Sequence, residues 1–385
     1  MKGIVSYIKE YGKYTLQEMP LNEVDTLILS QLSYLKFDSM VPSPTANQPS
    51  VTLKSILKHE AYEELYADKR YEKVNRSLFQ AAASSKRFGN LKLNNYISLL
   101  DEDWELQFSA MTFLFEDGLV YVAFRGTDEN MVGWKEDFNM AYMCPIPAQE
   151  KAVQYLNLVG EHIARDFVVG GHSKGGNLAV YGAMMCKKTT QSRICAIYSH
   201  DGPGFLPQIL QKPEFSMIHD RIHKLIPRSS VVGMMLQTQE NYEVVECRKF
   251  GILQHDPFNW IVEENHFVKA DNIHIHSALS DNSVNQWMAN MDEEQRKEFI
   301  DQLFGIFETA GVTNLSDFKT EWKSLLPAIM TAIEQMGSES KDMMKVIFKN
   351  LFDEISMAVK TKVIEKVEEI QQLLDNQLPQ DGKQD

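Results

Sequence analysis

The sequence predicts an α/β protein, a mostly parallel sheet flanked by helices, with an additional C-terminal helical region. Three observations predict it. Between about residues 108 and 247, short apolar β-favouring runs alternate with helix-forming stretches. A glycine-rich turn, Gly170 to Gly176, joins one such run directly to a helix-forming stretch. From about residue 285 onward, apolar residues recur at steps of three and four.

Residues 1 to about 100 read as mostly helical, with apolar residues at helical spacing in Val24 to Leu35 and a Glu-, Lys-, Ala- and Leu-rich stretch from Ile56 to Tyr71. Pro42, Pro44 and Pro49 mark a loop between them. Phe108 to Phe115 and Leu119 to Phe124 are strand-like and meet through Asp117-Gly118, which predicts a hairpin. Arg125 to Asp137 reads as a polar loop. After Pro147 a helix is expected, with Val153, Leu156, Val159 and Ile163 on one face. Strand Phe167 to Val169, helix Asn177 to Cys186 and strand Ile194 to Tyr198 follow, and Asp201-Gly202-Pro203-Gly204 breaks the chain after them. His223 to Ile226 and Tyr242 to Cys247 are further strand candidates; such alternation implies parallel pairing with helices on the faces. The C-terminal helices are expected at Val284 to Thr309, Leu315 to Gln335 and Lys341 to Leu374, the last carrying one apolar stripe from Ile347 to Leu374. That stripe suits packing against the core, or self-association, or a partner helix. The expected division is a domain over 1–285 and a helical region over 286–385.

With 53 acidic against 39 basic residues, a net charge of -14, the chain is a poor partner for nucleic acid, whose phosphates call for clustered Lys and Arg. Solubility alone accounts for the charge. None of the four cysteines forms a C-x-x-C pair, and Cys186 and Cys195, in or beside apolar runs, are expected to be reduced and buried. The opening stretch mixes charges into its apolar residues, so no signal peptide is expected, and no uncharged apolar run reaches membrane-spanning length. The expected location is the cytoplasm.

The chemistry centres on Gly170-Gly171-His172-Ser173-Lys174-Gly175-Gly176-Asn177, which contains G-x-S-x-G. A chain of ordinary glycine content and this length shows that pattern by chance roughly one time in ten. The flanking strand and helix make it specific: strand, sharp turn and helix form the nucleophile elbow of the α/β-hydrolase fold, and Ser173 is the candidate nucleophile. Its neighbours lack side chains because the turn is strained, and the helix N-terminus offers free N–H groups to developing negative charge. A serine needs a base, which in this fold follows the last strand. His255, in a loop just after Tyr242 to Cys247, has that place; a solvated loop histidine is the competing reading. His274 and His276 form H-x-H, but no third ligand stands at metal spacing, so no metal and no cofactor is expected. The oxyanion hole calls for the backbone N–H of Lys174 and a second donor after an earlier strand. Arg125-Gly126-Thr127 suits this, Thr127 offering both an N–H and a hydroxyl; an ordinary strand-end turn is the alternative. The Lys174 side chain is expected either in solvent or against an anionic group of the substrate.

Phe124-Arg125-Gly126-Thr127, with Trp134 and Asp137, resembles the F-R-G-[ST]…N-W…D motif of the class-three, fungal-type lipases. The G-H-S-x-G elbow, the Gly202-Pro203-Gly204 turn and a histidine shortly before a tryptophan, His255 before Trp260, continue the resemblance over roughly Leu91 to Trp260. The chain resembles more closely still a bacterial, Mbeg-like branch of lipase-like proteins, which have C-terminal helices that the secreted fungal enzymes lack. The resemblance implies that Thr127 supplies the oxyanion hole. It also implies an Asp in the stretch matched here by Ile226-Pro227-Arg228-Ser229-Ser230-Val231-Val232, where Ser230 stands in the acid's place. Either the acid has moved or the triad is incomplete. Asp201, just beyond a strand, is the substitute, as in some other lipases of this fold; a turn-initiating Asp is the alternative. Asp256 is expected to point away.

The expected function is therefore a serine esterase or lipase acting on a small-molecule or lipid ester through Ser173, His255 and Asp201, with Thr127 and Lys174 at the oxyanion. Acyl transfer or peptide hydrolysis would use the same residues. A non-catalytic scaffold acting through the C-terminal helices is the alternative, motivated by Ser230.

Overall fold

The apolar runs of the middle of the chain pair, in the computed structural model, into one eight-stranded sheet whose strands lie in sequence order. The structure describes residues 2–46, 48–68, 71–230, 232–236, 241–249, 251–270, 291–309 and 311–314, with 327, 330, 331, 334 and 341 besides. The strands are β1 (Val51–Thr52), β2 (Lys92–Asp101), β3 (Leu106–Leu114), β4 (Val120–Phe124), β5 (Phe167–His172), β6 (Ile194–His200), β7 (Ile222–Pro227) and β8 (Glu243–Val245). β1 to β4 pair antiparallel, and β4 to β8 pair parallel. β3 and β4 form the hairpin that Asp117-Gly118 predicts, with Leu114 opposite Val120 and Gly118 at φ 99°.

Because each parallel strand joins the next on the same side, right-handed crossovers put their helices on a single face. α6 (Pro147–His162) and α7 (Lys174–Met185) lie there, packed on Val120, Val122, Phe124, Val169 and Ile197. The other face would be bare. The N-terminal segment covers it through α1 (Ile4–Tyr11), α2 (Glu23–Leu32), the short α3 (Leu53–Ile56) and α4 (Glu72–Ser84), which meet Met111, Phe113, Tyr121, Ala123 and Val168. Neighbouring residues of one strand thus serve opposite cores, and β4 and β5 are buried along their whole length. α2, capped by Asn22, is buried from Val24 to Leu32.

The structure departs from the sequence reading in several places. Where helix was expected up to about residue 100, β2 runs for ten residues; its burial alternates irregularly and a bulge interrupts its pairing between Asn94 and Ile97, which blurs the period-2 signal. In place of a helix from Ile56 to Tyr71 there are α3, a 3-10 turn at Tyr62–Tyr66 and α4 beginning at Glu72. Packing of Leu65 and Tyr66 into the core outweighs the helical propensity of that stretch. The loop expected over Arg125 to Asp137 contains α5 (Met131–Asn139), whose cap is the Asn130 side chain accepting from Val132 N–H. Cys186 is buried, but Cys195 is exposed near the start of β6.

The chain divides into two compact units, Met1–Asp301 with Thr313–Leu315, and Gln302–Val312 with Ser316–Asp385. In the first, Thr313 O accepts from Met131 N–H at 3.0 Å and Asp301 pairs with Lys135 at 3.0 Å. In the second, the rings of Phe304 and Phe307 lie 5.9 Å apart. The helix expected from Val284 is described over Glu293–Thr309. The boundary at 285, the segment Lys341 to Leu374 beyond its first residue, with its apolar stripe, and most of Leu315 to Gln335 lie outside the described residues. Among the described residues no helix is long and apolar enough to cross a membrane.

Candidate active site

β5 ends at His172, α7 begins at Lys174, and Ser173 between them has φ 59° and ψ -134°. Such a conformation costs a non-glycine residue of order 1–3 kcal/mol. Burial of every residue from Lys174 to Met184 offsets it. The glycines permit the close approach. A Cβ on Gly171 would lie 2.3 Å from Gly175 backbone, and one on Gly175 would lie 2.1 Å from Phe124 O. Ser173 N–H donates to His200 O at 2.9 Å, tying the elbow to β6, and Ser173 is buried, 9% exposed.

Asp201 follows β6 with φ 50°, and its N–H donates to Leu225 O of β7 at 2.8 Å. Its buried carboxylate accepts from His255 Nδ1 at 2.6 Å through Oδ2, while Oδ1 accepts from the Ser230 hydroxyl and from Gly233 N–H at 3.1 Å. Of the two carboxylates considered, Asp201 is thus the one brought to His255. Ser230 is brought to Asp201, and Asp256 instead caps the turn Pro257–Asn259, accepting from Phe258 N–H at 2.9 Å. In the neutral imidazole with Nδ1 donating, Nε2 of His255 carries the lone pair.

Two residues that the sequence reading missed hold the histidine loop. Gln254 is buried, accepts from Ser229 N–H at 2.7 Å and lends its carbonyl to Trp260 Nε1 at 2.9 Å. His172 sits beside His255 with ring centroids 4.6 Å apart. Because a carbonyl has no proton to give, His172 donates from Nε2 to His255 O at 2.8 Å, which leaves Nδ1 to accept from the Tyr34 hydroxyl at 3.2 Å. The residue before Ser173 therefore links the elbow to the His255 loop. Its place in G-H-S was the available signal; Gln254 had none.

The turn after β4 packs against the elbow. A Cβ on Gly126 would lie 2.6 Å from His172 O and 3.1 Å from Ser173 Cβ, so only glycine lets the backbone come this near. Thr127 follows, its Oγ1 sharing a 2.6 Å hydrogen bond with Asp137 Oδ2 of α5. Trp134 fixes the same turn by donating from Nε1 to Asp128 O at 3.1 Å. Asp128 pairs with Lys36 at 3.1 Å and Arg125 at 3.5 Å.

Both expectations for the Lys174 side chain are overturned. It is neither in solvent nor turned to a substrate, but 1% exposed, with Nζ 2.7 Å from Glu136 Oε2, 3.1 Å from Gln107 O and 3.5 Å from Asp137 Oδ1. From the head of α7 the side chain runs inward to two carboxylates of α5. Burial lowers the lysine's proton affinity, but Glu136 and Asp137 outweigh burial and hold the ammonium above the ordinary lysine range. Glu136 Oε2 also accepts from Gln107 N–H at 3.0 Å and Oε1 from Ala148 N–H at 2.8 Å. Burial pushes the Asp137 carboxyl up to about 6, against the pull of Lys174. Among the described residues no group of three His, Cys, Asp or Glu side chains is placed to hold a metal; His274 and His276 lie outside them.

The eight-stranded sheet flanked by helices, with a strained serine between β5 and α7, is that of an α/β-hydrolase. A family model described as Mbeg1-like matches residues 82–305, more than half of the chain, and the chain belongs to that family. Among solved structures it is similar to fungal-type lipases. One is a triacylglycerol lipase described as having a serine protease triad, at 15% identity over 60% of this chain and 82% of that one, with a TM-score of 0.34. Another is a fungal lipase solved with an inhibitor, at 17% identity over 48% and 75%, with a TM-score of 0.31. A third is a deletion mutant of the Rhizomucor miehei lipase with its propeptide, at 15% identity over 55% and 81%, with a TM-score of 0.32. No curated protein matches the chain.

Proposed function

We propose that this protein is a serine hydrolase that cleaves a carboxylic ester, of a small molecule or a lipid, through an acyl-enzyme. Ser173 Oγ attacks the ester carbonyl while His255 Nε2 takes its proton. The oxyanion of the tetrahedral intermediate receives the N–H groups of Thr127 and Lys174. His255 returns the proton to the leaving alcohol, and a water activated by the same base releases the acid and regenerates Ser173. Asp201 fixes the imidazole tautomer and stabilises the imidazolium.

The observation that carries this reading is the 2.6 Å contact from the buried Asp201 carboxylate to His255 Nδ1. It supports an acid at Asp201 where Ser230 stands in the family's position, and so favours the catalytic reading over the non-catalytic one. The test is a fluorophosphonate probe together with a short-chain ester such as p-nitrophenyl butyrate. Wild type should be labelled and should hydrolyse the ester; Ser173→Ala should do neither. A Ser173→Ala protein with native circular dichroism and about a tenth or more of wild-type activity would rule out Ser173 as nucleophile.

A further inference from the structure

We propose that the outer edge of β2, from Ile97 to Asp101, is an interface at which two copies of this chain pair antiparallel, strand to strand, about a two-fold axis. The inference goes beyond the ester-hydrolase reading and does not rest on it.

β2 lies between β1 and β3, but β1 pairs only with Lys92 and Leu93. The chain before β1 covers the same edge as far as Tyr96, whose N–H donates to Pro42 O at 2.9 Å. From Ile97 to Asp101, β2 stays paired with β3, and among the described residues no strand adjoins its other side. Such an edge offers a row of N–H and C=O groups to a further strand. Edges are blunted by Lys, Pro or a bulge. Here the bulge falls before Ile97, and the stretch Ile97 to Asp101 holds neither Lys nor Pro. Beside it stand the two most exposed large hydrophobic side chains among the described residues, Leu100 at 53% and Trp104 at 72%. The turn that carries Trp104 is fixed by hydrogen bonds from Trp104 N–H to Asp101 Oδ1 at 3.1 Å and from Glu105 N–H to Glu102 O at 3.2 Å.

The backbone row calls for a strand, which a lipid surface cannot supply. Charge selects a second copy in antiparallel orientation. The tip between β2 and β3 carries Asp101, Glu102, Asp103 and Glu105, and the whole chain has a net charge of -14, so two copies associate only where their acidic tips stay apart. Parallel pairing would bring the tips together. Antiparallel pairing with Leu99 on the axis places Ile97 of one copy opposite Asp101 of the other, and Ser98 opposite Leu100. The acidic tips then leave at opposite ends, each toward the exposed Lys92 of the other copy. In that register the two Leu100 residues lie on one face as diagonal neighbours, about 7–8 Å apart, and cover each other. The surface is self-complementary, as a two-fold interface requires.

The test is sedimentation velocity of the full chain. Wild type should show a monomer–dimer equilibrium with Kd on the order of micromolar, as befits a small interface. A chain carrying Ser98→Lys and Leu100→Lys sets like charges opposite each other across the axis, and its Kd should rise about ten-fold or more, as should that of a chain carrying Ser98→Glu and Leu100→Glu. Mixing the two variants should restore the dimer. Wild type that stays monomeric at about 100 μM overturns the proposal. So do variants that dimerise as wild type does, or a mixture that stays monomeric. A second readout uses wild type alone and is blind to any misfolding of the variants: amide hydrogen exchange over Ile97 to Asp101 should slow as concentration rises through the dimer range. Exchange independent of concentration overturns the proposal. A monomer that sediments with phosphatidylcholine vesicles, and ceases to on Trp104→Ala, also overturns it and assigns the surface to lipid instead.

Discussion

Replacing Asp201 by Asn bears most directly on the proposed mechanism. Asp201 Oδ1 accepts from the Ser230 hydroxyl and Gly233 N–H, and Oδ2 accepts from His255 Nδ1. Asparagine has one acceptor and one donor at these places. Two donors converge on the Oδ1 position, so the amide oxygen should settle there and the NH₂ should face His255. The imidazole then meets a donor, and it relaxes by moving its proton to Nε2 and accepting at Nδ1. That tautomer cannot take the Ser173 proton. Shape and the two loop contacts survive, so the loss should fall on kcat and not on folding. A serine protease with the wrong tautomer loses about 10⁴ in kcat, equivalent to about 5.5 kcal/mol of barrier, and a loss on the order of 10²–10⁴ is expected here. The assay is p-nitrophenyl ester hydrolysis with active-site titration by a fluorophosphonate, at a pH where wild-type activity is maximal. An Asp201→Asn enzyme keeping about a tenth or more of wild-type kcat would refute the assignment of Asp201 as the acid.

Other perturbations probe the same frame. Ser230→Ala removes one of the two donors to Asp201 Oδ1 and leaves Gly233 N–H, so kcat should fall by only about five-fold, near 1 kcal/mol; a loss as large as that of Asp201→Asn would make Ser230 a principal partner of the histidine. Lys174→Met strands the buried Glu136 charge and should cost about 3–5 kcal/mol in urea unfolding, largely restored by adding Glu136→Gln; a loss under about 1 kcal/mol would disprove the buried pair. The Asp137 carboxyl is raised from its usual 3.8 to about 6, so the folded state binds its proton more tightly than the unfolded chain. The associated stability is fully present below about pH 4 and is lost as pH rises through about 6, about 3 kcal/mol in all. Asp137→Asn should gain stability relative to wild type across that window, and a difference that stays constant between about pH 4 and pH 8 would contradict it.

The sequence was most legible where a local pattern and the tertiary demand coincide. The Asp-Gly hairpin, the apolar β4 and β5 and the glycines of the elbow all announce themselves, because close backbone approach leaves only glycine and double burial leaves only apolar residues. β2 was illegible because a bulge breaks its alternation, and α5 because its helix begins inside a stretch of polar residues where Asn130 was the one start signal. Lys174 misled for a different reason. A lysine is rarely fully buried, and nothing near it in sequence reveals that Glu136 and Asp137, more than thirty residues earlier, wait beneath the first turn of α7.

If Asp201 is the acid, as proposed, its displacement follows from the sheet itself. β6 and β7 are adjacent parallel strands, with His200 opposite Leu225, so their C-terminal ends open onto the same point. Asp201 and Ser230 lie just beyond those ends and touch each other there. A carboxylate carried by either strand end can therefore occupy one spot beside His255, and the position that lacks it is left to support it. Ser230 does so by donating to Asp201 Oδ1, together with Gly233 N–H, and this orients Oδ2 toward the imidazole. On the proposed function, what the linear motif registers as a missing residue is an exchange of roles between neighbouring strand ends, which keeps the hydrogen bond to His255 and the burial of the carboxylate together.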